Sequence, residues 1–252
     1  MAQVSSLAAE ERRTWLLQEL QASRAVSLAD AAASLGVSEM TVRRDLSSLE
    51  KSGVARRVRG GAVYNGPVSF QGRDREHAEA KQIVAEKLLP FVPERGVIAM
   101  DSSTTMHRLA RMITDRDNLV VVTNGLVTFQ VLHDRAGITP ILTGGATDRR
   151  SDSLIGPVAT AFLESMRFVG FFASAAAVDA TATFEDTLEE ADIKRAFARS
   201  SSRVFLGVHA QKLDEDATAQ AVRLDRVDAL ATDLDPTEPR LAPYHEHVPD
   251  VL

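Results

Sequence analysis

Apolar residues in the first 66 positions recur at helical spacing. Trp15, Leu16 and Leu20 share one face between Glu10 and Gln21, which predicts a helix with the chain's only tryptophan turned to a core. Leu28, Ala31, Ala32 and Leu35 share another, behind Ser27 as a capping residue. Gly36 permits a tight turn, Val37 anchors it, and Ser38 caps a second helix. There Met40, Val42, Leu46 and Leu49 read as the inward set, leaving Thr41, Arg43, Arg44 and Ser47 to face outward. Val54 to Val63 then reads as two short strands around Gly60-Gly61, and Tyr64-Asn65-Gly66-Pro67 as a closing turn.

Beyond a linker the period changes. A helix is predicted from His77 to Leu89, with Ile83, Val84, Leu88 and Leu89 inward and Lys81, Glu86 and Lys87 outward. Six short apolar runs follow: Val97–Met100, Leu119–Val122, Pro140–Leu142, Val169–Ala173, Val204–Val208 and Ala229–Ala231. Helical patterns separate the first five, near Met106–Ile113, Val127–Arg135, Pro157–Met166 and Leu188–Arg199. Continuous apolar strands alternating with helices predict an α/β fold, a mostly parallel sheet covered on both faces. The expected organisation is therefore a winged helix-turn-helix over 1–66, a linker over 67–76, an α/β domain over 77–235 and a Pro-rich tail over 236–252 with no readable role.

Charge gives the first domain a partner. The whole chain carries a net −6, but residues 1–66 hold nine Lys and Arg against seven acidic residues, and the remainder is net −8. A basic head on an acidic body suits DNA binding. Two helices joined by a Gly-containing turn fit a major groove, and Arg56, Arg57 and Arg59 would lay a wing along the phosphates. A small helical domain with a solvated basic edge explains any one of these signals, but not their combination. The candidate DNA contacts are Ser38, Thr41, Arg43, Arg44, Arg56, Arg57 and Arg59. With no cysteine, no run of eighteen apolar residues and no signal-peptide pattern, a soluble cytoplasmic protein without metal or cofactor is expected; the one close histidine pair, His245-x-His247, sits among acidic neighbours in the Pro-rich tail and is not expected to form a metal site.

Polar residues collect where the strands of the second domain end. The first ends in Asp101-Ser102-Ser103-Thr104-Thr105 and runs into a helix, four hydroxyls beside helix N–H groups, which suits a phosphate. Capping alone needs one hydroxyl. Thr123-Asn124-Gly125 and Thr143-Gly144-Gly145 follow the next two strands, so that one small polar ligand at the carboxyl edge is expected. Lys212, after the fifth strand, can neutralise such an anion or stand as a solvated lysine.

From about Glu11 to Asp233 the chain resembles the DeoR family of bacterial transcriptional regulators. The resemblance rests on Val37-Ser38-Glu39-Met40-Thr41-Val42-Arg43-Arg44-Asp45-Leu46, on Arg57-Val58-Arg59-Gly60-Gly61-Ala62, on Ser69-Phe70-Gln71-Gly72-Arg73 and on Lys81. In the body it rests on Asp101–Thr105, Val121-Val122-Thr123-Asn124, Thr143-Gly144-Gly145, Leu154-Ile155-Gly156-Pro157 and Glu190-Ala191-Asp192-Ile193-Lys194. It implies a body similar to ribose-5-phosphate isomerase and glucosamine-6-phosphate deaminase folds. It also implies a homo-oligomer, dimeric or tetrameric, and a repressor of a carbohydrate operon released by a phosphorylated sugar. It adds Asp179 and Glu190 to the effector residues Asp101, Ser102, Ser103, Thr104, Thr105, Thr123, Asn124, Gly144, Gly145 and Lys212.

The departures fall in the sensor. Ser103 stands where the family often has Gly, Ala176-Ala177-Val178-Asp179 where it has Ser-Gly-Ile-Asp, and His209-Ala210-Gln211-Lys212 where it has Asp-Ser-Ser-Lys. The phosphate end is thus expected to persist while the sugar-reading end is altered. The alternative is an isomerase-like enzyme with a fused DNA head. Its base would come from Asp179, Glu185, Asp186, Glu189 or Glu190, none of them in a matching catalytic motif, and fold likeness alone does not establish chemistry.

Overall fold

The computed structural model describes residues 2–51, 54–64, 70–148 and 150–252, with side chains from residue 9 onward. Its contacts divide the chain into two units, Met1–Glu76 and His77–Leu252.

The first unit contains α1 (Ala2–Ser23), β1 (Ala25–Ser27), α2 (Leu28–Leu35), α3 (Glu39–Lys51), β2 (Ala55–Val58), β3 (Gly61–Tyr64) and α4 (Phe70–Arg75). Leu16, Leu20, Leu28, Val42, Leu46 and Leu49 form its core, with Trp15 packed at the edge. Ser27 caps α2 by accepting from Asp30 N, and Gly36 ends it in the left-handed region at φ 64°. The wing is a three-stranded antiparallel sheet in the order β1-β3-β2, one strand more than the expected hairpin. That strand puts Val26 so close to Gly61 that a Cβ there would lie 2.0 Å from the Val26 carbonyl oxygen. The closing turn from Tyr64 to Pro67 extends into 65–69, outside the described residues. Of the expected linker 67–76, the described part begins with helix α4, in which Phe70 and Gly72 are buried.

The second unit runs α5 (Ala78–Leu88), β4 (Gly96–Met100), α6 (Thr104–Met112), β5 (Leu119–Thr123), α7 (Leu126–His133), β6 (Ile138–Leu142), β7 (Ala146–Asp148), β8 (Ser153–Ile155), α8 (Pro157–Glu164), β9 (Gly170–Ala173), β10 (Ala177–Val178) and β11 (Ala182–Glu185). It continues through α9 (Leu188–Arg199), β12 (Val204–Gly207), β13 (Ala219–Arg223), β14 (Ala229–Ala231), α10 (Ala242–His245) and β15 (Asp250–Val251). Seven strands form one sheet in the order β15-β14-β12-β9-β4-β5-β6, and every neighbouring pair is parallel. Successive residues alternate between faces. Ile98, Met100, Phe172 and Phe205 pack with α5 and α6, whereas Ala99, Phe171 and Leu206 pack with α8 and α9.

The segment 236–252, expected as a tail, belongs to this fold. It supplies the edge strand β15, and Leu241 and Tyr244 are fully buried. The Tyr244 hydroxyl reaches Val178 O at 3.1 Å and Asp214 Oδ1 at 2.8 Å. Pro243 lies in the first turn of α10, where a missing N–H costs nothing, and Pro236 and Pro249 lie in a turn and a bend between elements. The expected outward Lys81 is only 4% exposed.

The strand order reverses between β4 and β9, since β5 and β6 extend to one side of β4 and β9, β12, β14 and β15 to the other. Ligands of open parallel sheets bind outside the carboxyl ends at such a reversal.

Candidate functional site

Two surfaces carry the chemistry, one in each unit. In the first, Ser38 opens α3 by accepting from Thr41 N at 3.2 Å, and its hydroxyl lies 3.0 Å from that of Thr41. Asp45, in the middle of the arginine-rich motif, is buried and paired with Arg12 Nε at 2.8 Å, which ties α3 to α1. Val42, Leu46 and Leu49 face the core, and Arg43 and Arg44 are exposed on the opposite side. Met40 corrects the sequence reading. It is 68% exposed, because at 3.6 residues per turn it lies roughly 120–180° round the helix from those three core residues.

The wing arginines divide. Arg56 and Arg59 are exposed. Arg57 Nε pairs with Glu50 Oε2, its Nη1 donates to Ser47 Oγ at 3.1 Å and its backbone N–H to Glu50 Oε1 at 3.1 Å. These hydrogen bonds, backbone first, hold the Glu50 carboxyl below the usual range. Arg57 therefore fixes the wing against α3. A groove of about 390 Å³ runs between them, lined by Arg43, Leu46 and the wing tip from Arg57 to Gly61.

In the second unit the strand ends meet at Asp101. Its Oδ1 accepts from Ser103 N at 2.9 Å and its Oδ2 from Ser174 N at 2.8 Å, so one carboxylate bridges the loops after β4 and β9 at the reversal point. Asp101 is 1% exposed and held by Lys194 Nζ at 3.2 Å. The same ammonium donates to Ser174 O at 2.6 Å and Glu185 Oε1 at 2.6 Å.

Ser103 caps α6 by accepting from Met106 N at 3.2 Å, and His107 N to Ser103 O is the first helical bond. The Thr104 and Thr105 N–H groups lie ahead of that bond, among the donors that a helix start leaves without an intrahelical partner. Beside them Gly125 packs on Ser102, where a Cβ would lie 2.8 Å from Ser102 Cα. Thr123 Oγ1 accepts from Gly125 N at 3.1 Å, and Asn124 Nδ2 donates to Leu154 O at 3.2 Å. Gly144 and Gly145 turn the chain after β6 at φ 73° and 114°.

Three polar atoms around this edge, Asn124 Oδ1, Thr128 Oγ1 and Ser174 Oγ, are buried without a hydrogen-bond partner. Such atoms are costly in a folded protein unless something else satisfies them.

The remaining expected site residues have partners of their own, Asp179 after β10 in the separate β10-β11-β13 sheet. Lys212 Nζ donates to Ala175 O. His209, 6% exposed, lies 4.6 Å from the His77 ring, centroid to centroid. Burial first, then Lys212, His77 and Lys81, pushes the His209 imidazole down to about 3. Asp179 caps its own turn, accepting from Thr181 N, Thr181 Oγ1 and Ala182 N. Burial pushes its carboxyl up, but those hydrogen bonds outweigh this and hold it low. Glu190 sits in the first turn of α9, its N–H bonded to Thr187 Oγ1 at 3.3 Å.

Residues 12–68 match the DeoR-like helix-turn-helix domain and residues 76–234 the DeoR C terminal sensor domain. The chain belongs to the DeoR family. An uncharacterized HTH-type transcriptional regulator, YgbI of Escherichia coli K12, is 31% identical over 88% of this chain and 89% of its own length. The lactose phosphotransferase system repressor of Streptococcus mutans is 29% identical over 89% of this chain and 92% of its own. The L-fucose operon activator of Haemophilus influenzae is 27% identical over 86% and 89%. Among the described residues, no helix is long and apolar enough to cross a membrane.

Within this DeoR-family sensor, sequence reasoning had Lys194 in a family motif but gave it no role, and it passed over Ser174 and Thr128. Ser174 follows a strand as Ser102 does, a signal hidden by the alanine-rich run after it. Glu185 was weighed only as a catalytic base. Its carboxyl is raised to about 7 by burial, which outweighs Lys194, with Glu190 and Asp101 adding to the rise. A raised carboxyl stabilises the fold fully below its unfolded value and loses that contribution as pH rises from 4.5 to 7. At 1.36 kcal/mol per unit this amounts to about 3 kcal/mol. The depressed His209 acts oppositely, its contribution lost as pH falls from 6.5 toward 3. Urea denaturation of Glu185→Gln between pH 4.5 and 7.5 should therefore show stability rising with pH relative to the wild type. Parallel pH profiles would refute the assignment.

Proposed function

We propose that this DeoR-family regulator represses a carbohydrate-metabolism operon in the cytoplasm and leaves its operator when a phosphorylated sugar docks at the carboxyl edge of the parallel sheet. The observation that carries the reading is the trio of buried, unsatisfied atoms Asn124 Oδ1, Thr128 Oγ1 and Ser174 Oγ around the reversal point. Sugar hydroxyls are donors and acceptors of the size to satisfy them. The phosphate sits on the Thr104 and Thr105 N–H groups beside the Ser102 and Ser103 hydroxyls, with Thr123, Gly144 and Gly145 shaping the wall and Lys212 supplying charge. Ala176 and Ala177, in place of the family's Ser and Gly, narrow the sugar end and set an effector different from the common ones.

On DNA, Arg43 and Arg44 enter the major groove, Ser38 and Thr41 hold the helix start, and Arg56 and Arg59 lie on phosphates while Arg57 keeps the wing in place. Two chains pair their heads on two half-sites, and the effector releases them only by its preference for the unbound arrangement. A sensor rather than an enzyme fits the carboxylates, because Asp101 and Glu185 are engaged by Lys194 and Asp179 by its own turn. The name of the Streptococcus mutans relative, a lactose phosphotransferase system repressor, supports repression of a sugar system.

The test pairs a panel of sugar phosphates with their unphosphorylated parents, reading both melting temperature and release of bound operator. One phosphorylated member at a hundredfold excess over its Kd should stabilise the fold by about 2.7 kcal/mol and release DNA, and its parent should do neither. Thr104→Asp keeps a residue favoured at a helix start but sets a negative charge under the phosphate. It should bind operator as the wild type does and lose the response. A Thr104→Asp protein that still responds at the same concentration would exclude the cradle.

A further inference from the structure

We infer that Met40 reads the C5-methyl group of a thymine in the operator's major groove, and so sets part of the sequence specificity of this regulator. The inference rests on the DNA-binding reading of α3. Among the described residues five large apolar side chains are exposed, and Met40, at 68%, is the most exposed of them. It contributes nothing to the core, which Val42, Leu46 and Leu49 fill from the opposite side of the helix.

Its place on α3 determines what it can meet. Met40 lies three and four residues before Arg43 and Arg44, so the three side chains form one stripe along the outward face. Ser47, one further turn along that stripe, is held by its own bond to Arg43 O at 2.7 Å and by Arg57. Two exposed guanidinium groups fix the polarity of the occupant as anionic, and Arg56 and Arg59 extend that field along the wing. A thioether gains nothing from phosphates. In the major groove the apolar feature presented by a base is the thymine methyl. Methionine, unbranched and polarizable, can reach and cover it. Its position in the first turn of α3 is where a recognition helix approaches base edges.

The experiment uses the full-length chain. An operator is first selected from a random duplex pool, and affinity is then measured by fluorescence anisotropy on that duplex. Each thymine is replaced in turn by deoxyuracil, which removes the methyl group alone. For the wild type, one thymine per half-site should show a loss of about fourfold, the effect of one buried methyl-sized group. Met40→Ala should bind thymine and deoxyuracil duplexes equally, and Met40→Leu should retain the preference. Insensitivity of the wild type to every replacement would overturn the inference, as would a preference that survives intact in Met40→Ala. Failure to enrich any sequence would instead overturn the reading of the head as an operator binder, so the two failures are distinct.

Discussion

Replacing Lys194 by methionine should destabilise the sensor unit by about 3–5 kcal/mol, the cost of leaving buried charge without its partner. The side chain is 10% exposed and serves three acceptors, while Asp101 and Glu185 opposite it are 1% and 7% exposed. Burial above all, with the neighbouring Glu190 and Asp101 carboxylates adding to it, makes Glu185 hold its proton up to about 7 even with the Lys194 ammonium beside it. Burial alone would lower the Lys194 ammonium, but Glu185 and Asp101 more than reverse that and hold it protonated. Removing it forces both carboxyls to protonate or the site to open. Asp101 would then loosen its hold on Ser103 N and Ser174 N, the two loops that the effector is proposed to occupy. Urea denaturation followed by effector titration checks both consequences. Lys194→Met combined with Asp101→Asn and Glu185→Gln should recover much of the stability, since no charge is left stranded. A single Lys194→Met variant within 1 kcal/mol of the wild type would show that the cluster is not the lock described here.

Gly61→Ala should detach the wing and weaken operator binding by at least about tenfold, while leaving effector binding untouched. A Cβ at Gly61 would lie 2.0 Å from Val26 O and 3.0 Å from Val26 C, and both are backbone atoms that no rotamer change can move. Relief requires β1 and β3 to part, breaking the register Val26↔Ala62 and Ser27↔Gly61 and the bond from Leu28 N to Gly60 O. Overpacking of this kind costs about 1–3 kcal/mol, a large share for a unit with so small a core. Anisotropy on operator DNA, with effector titration as the internal control, gives the answer. Undiminished affinity would mean that the wing is not needed for binding.

The local patterns carried most of the architecture. Six of the seven parallel strands, the helix Leu188–Arg199 to its ends, the caps at Ser27 and Ser38 and the turn at Gly36 follow from periods of 3.6 and 2 and from capping chemistry, all of which are properties of neighbouring residues. The asymmetry of charge between the two units was equally visible, because it is a sum. What escaped were features made by distant parts of the chain. Residues 236–252 read as a tail because two-residue strands and a four-residue helix carry no period, and only the open edge of β14 gives Asp250 and Val251 a partner. Arg57 looked like Arg56 and Arg59 until Glu50 was brought beside it.

Neighbouring residues were enough to read most of the helices and parallel strands, the basic head beside an acidic sensor, and the gathering of hydroxyls and glycines after the strands. Tertiary structure decided which of those groups are already spent and which are left over. Asp101 and Ser103 hold loops and a helix start, Lys194 is locked between two carboxylates that lie far before it at Asp101 and nine residues before it at Glu185, and Asn124, Thr128 and Ser174 are left buried and unsatisfied.

 The reason is physical. Helical and strand periods are set by residues a few positions apart, whereas the satisfaction of a buried charge or hydroxyl depends on groups that only the folded chain brings within 3 Å or so of one another.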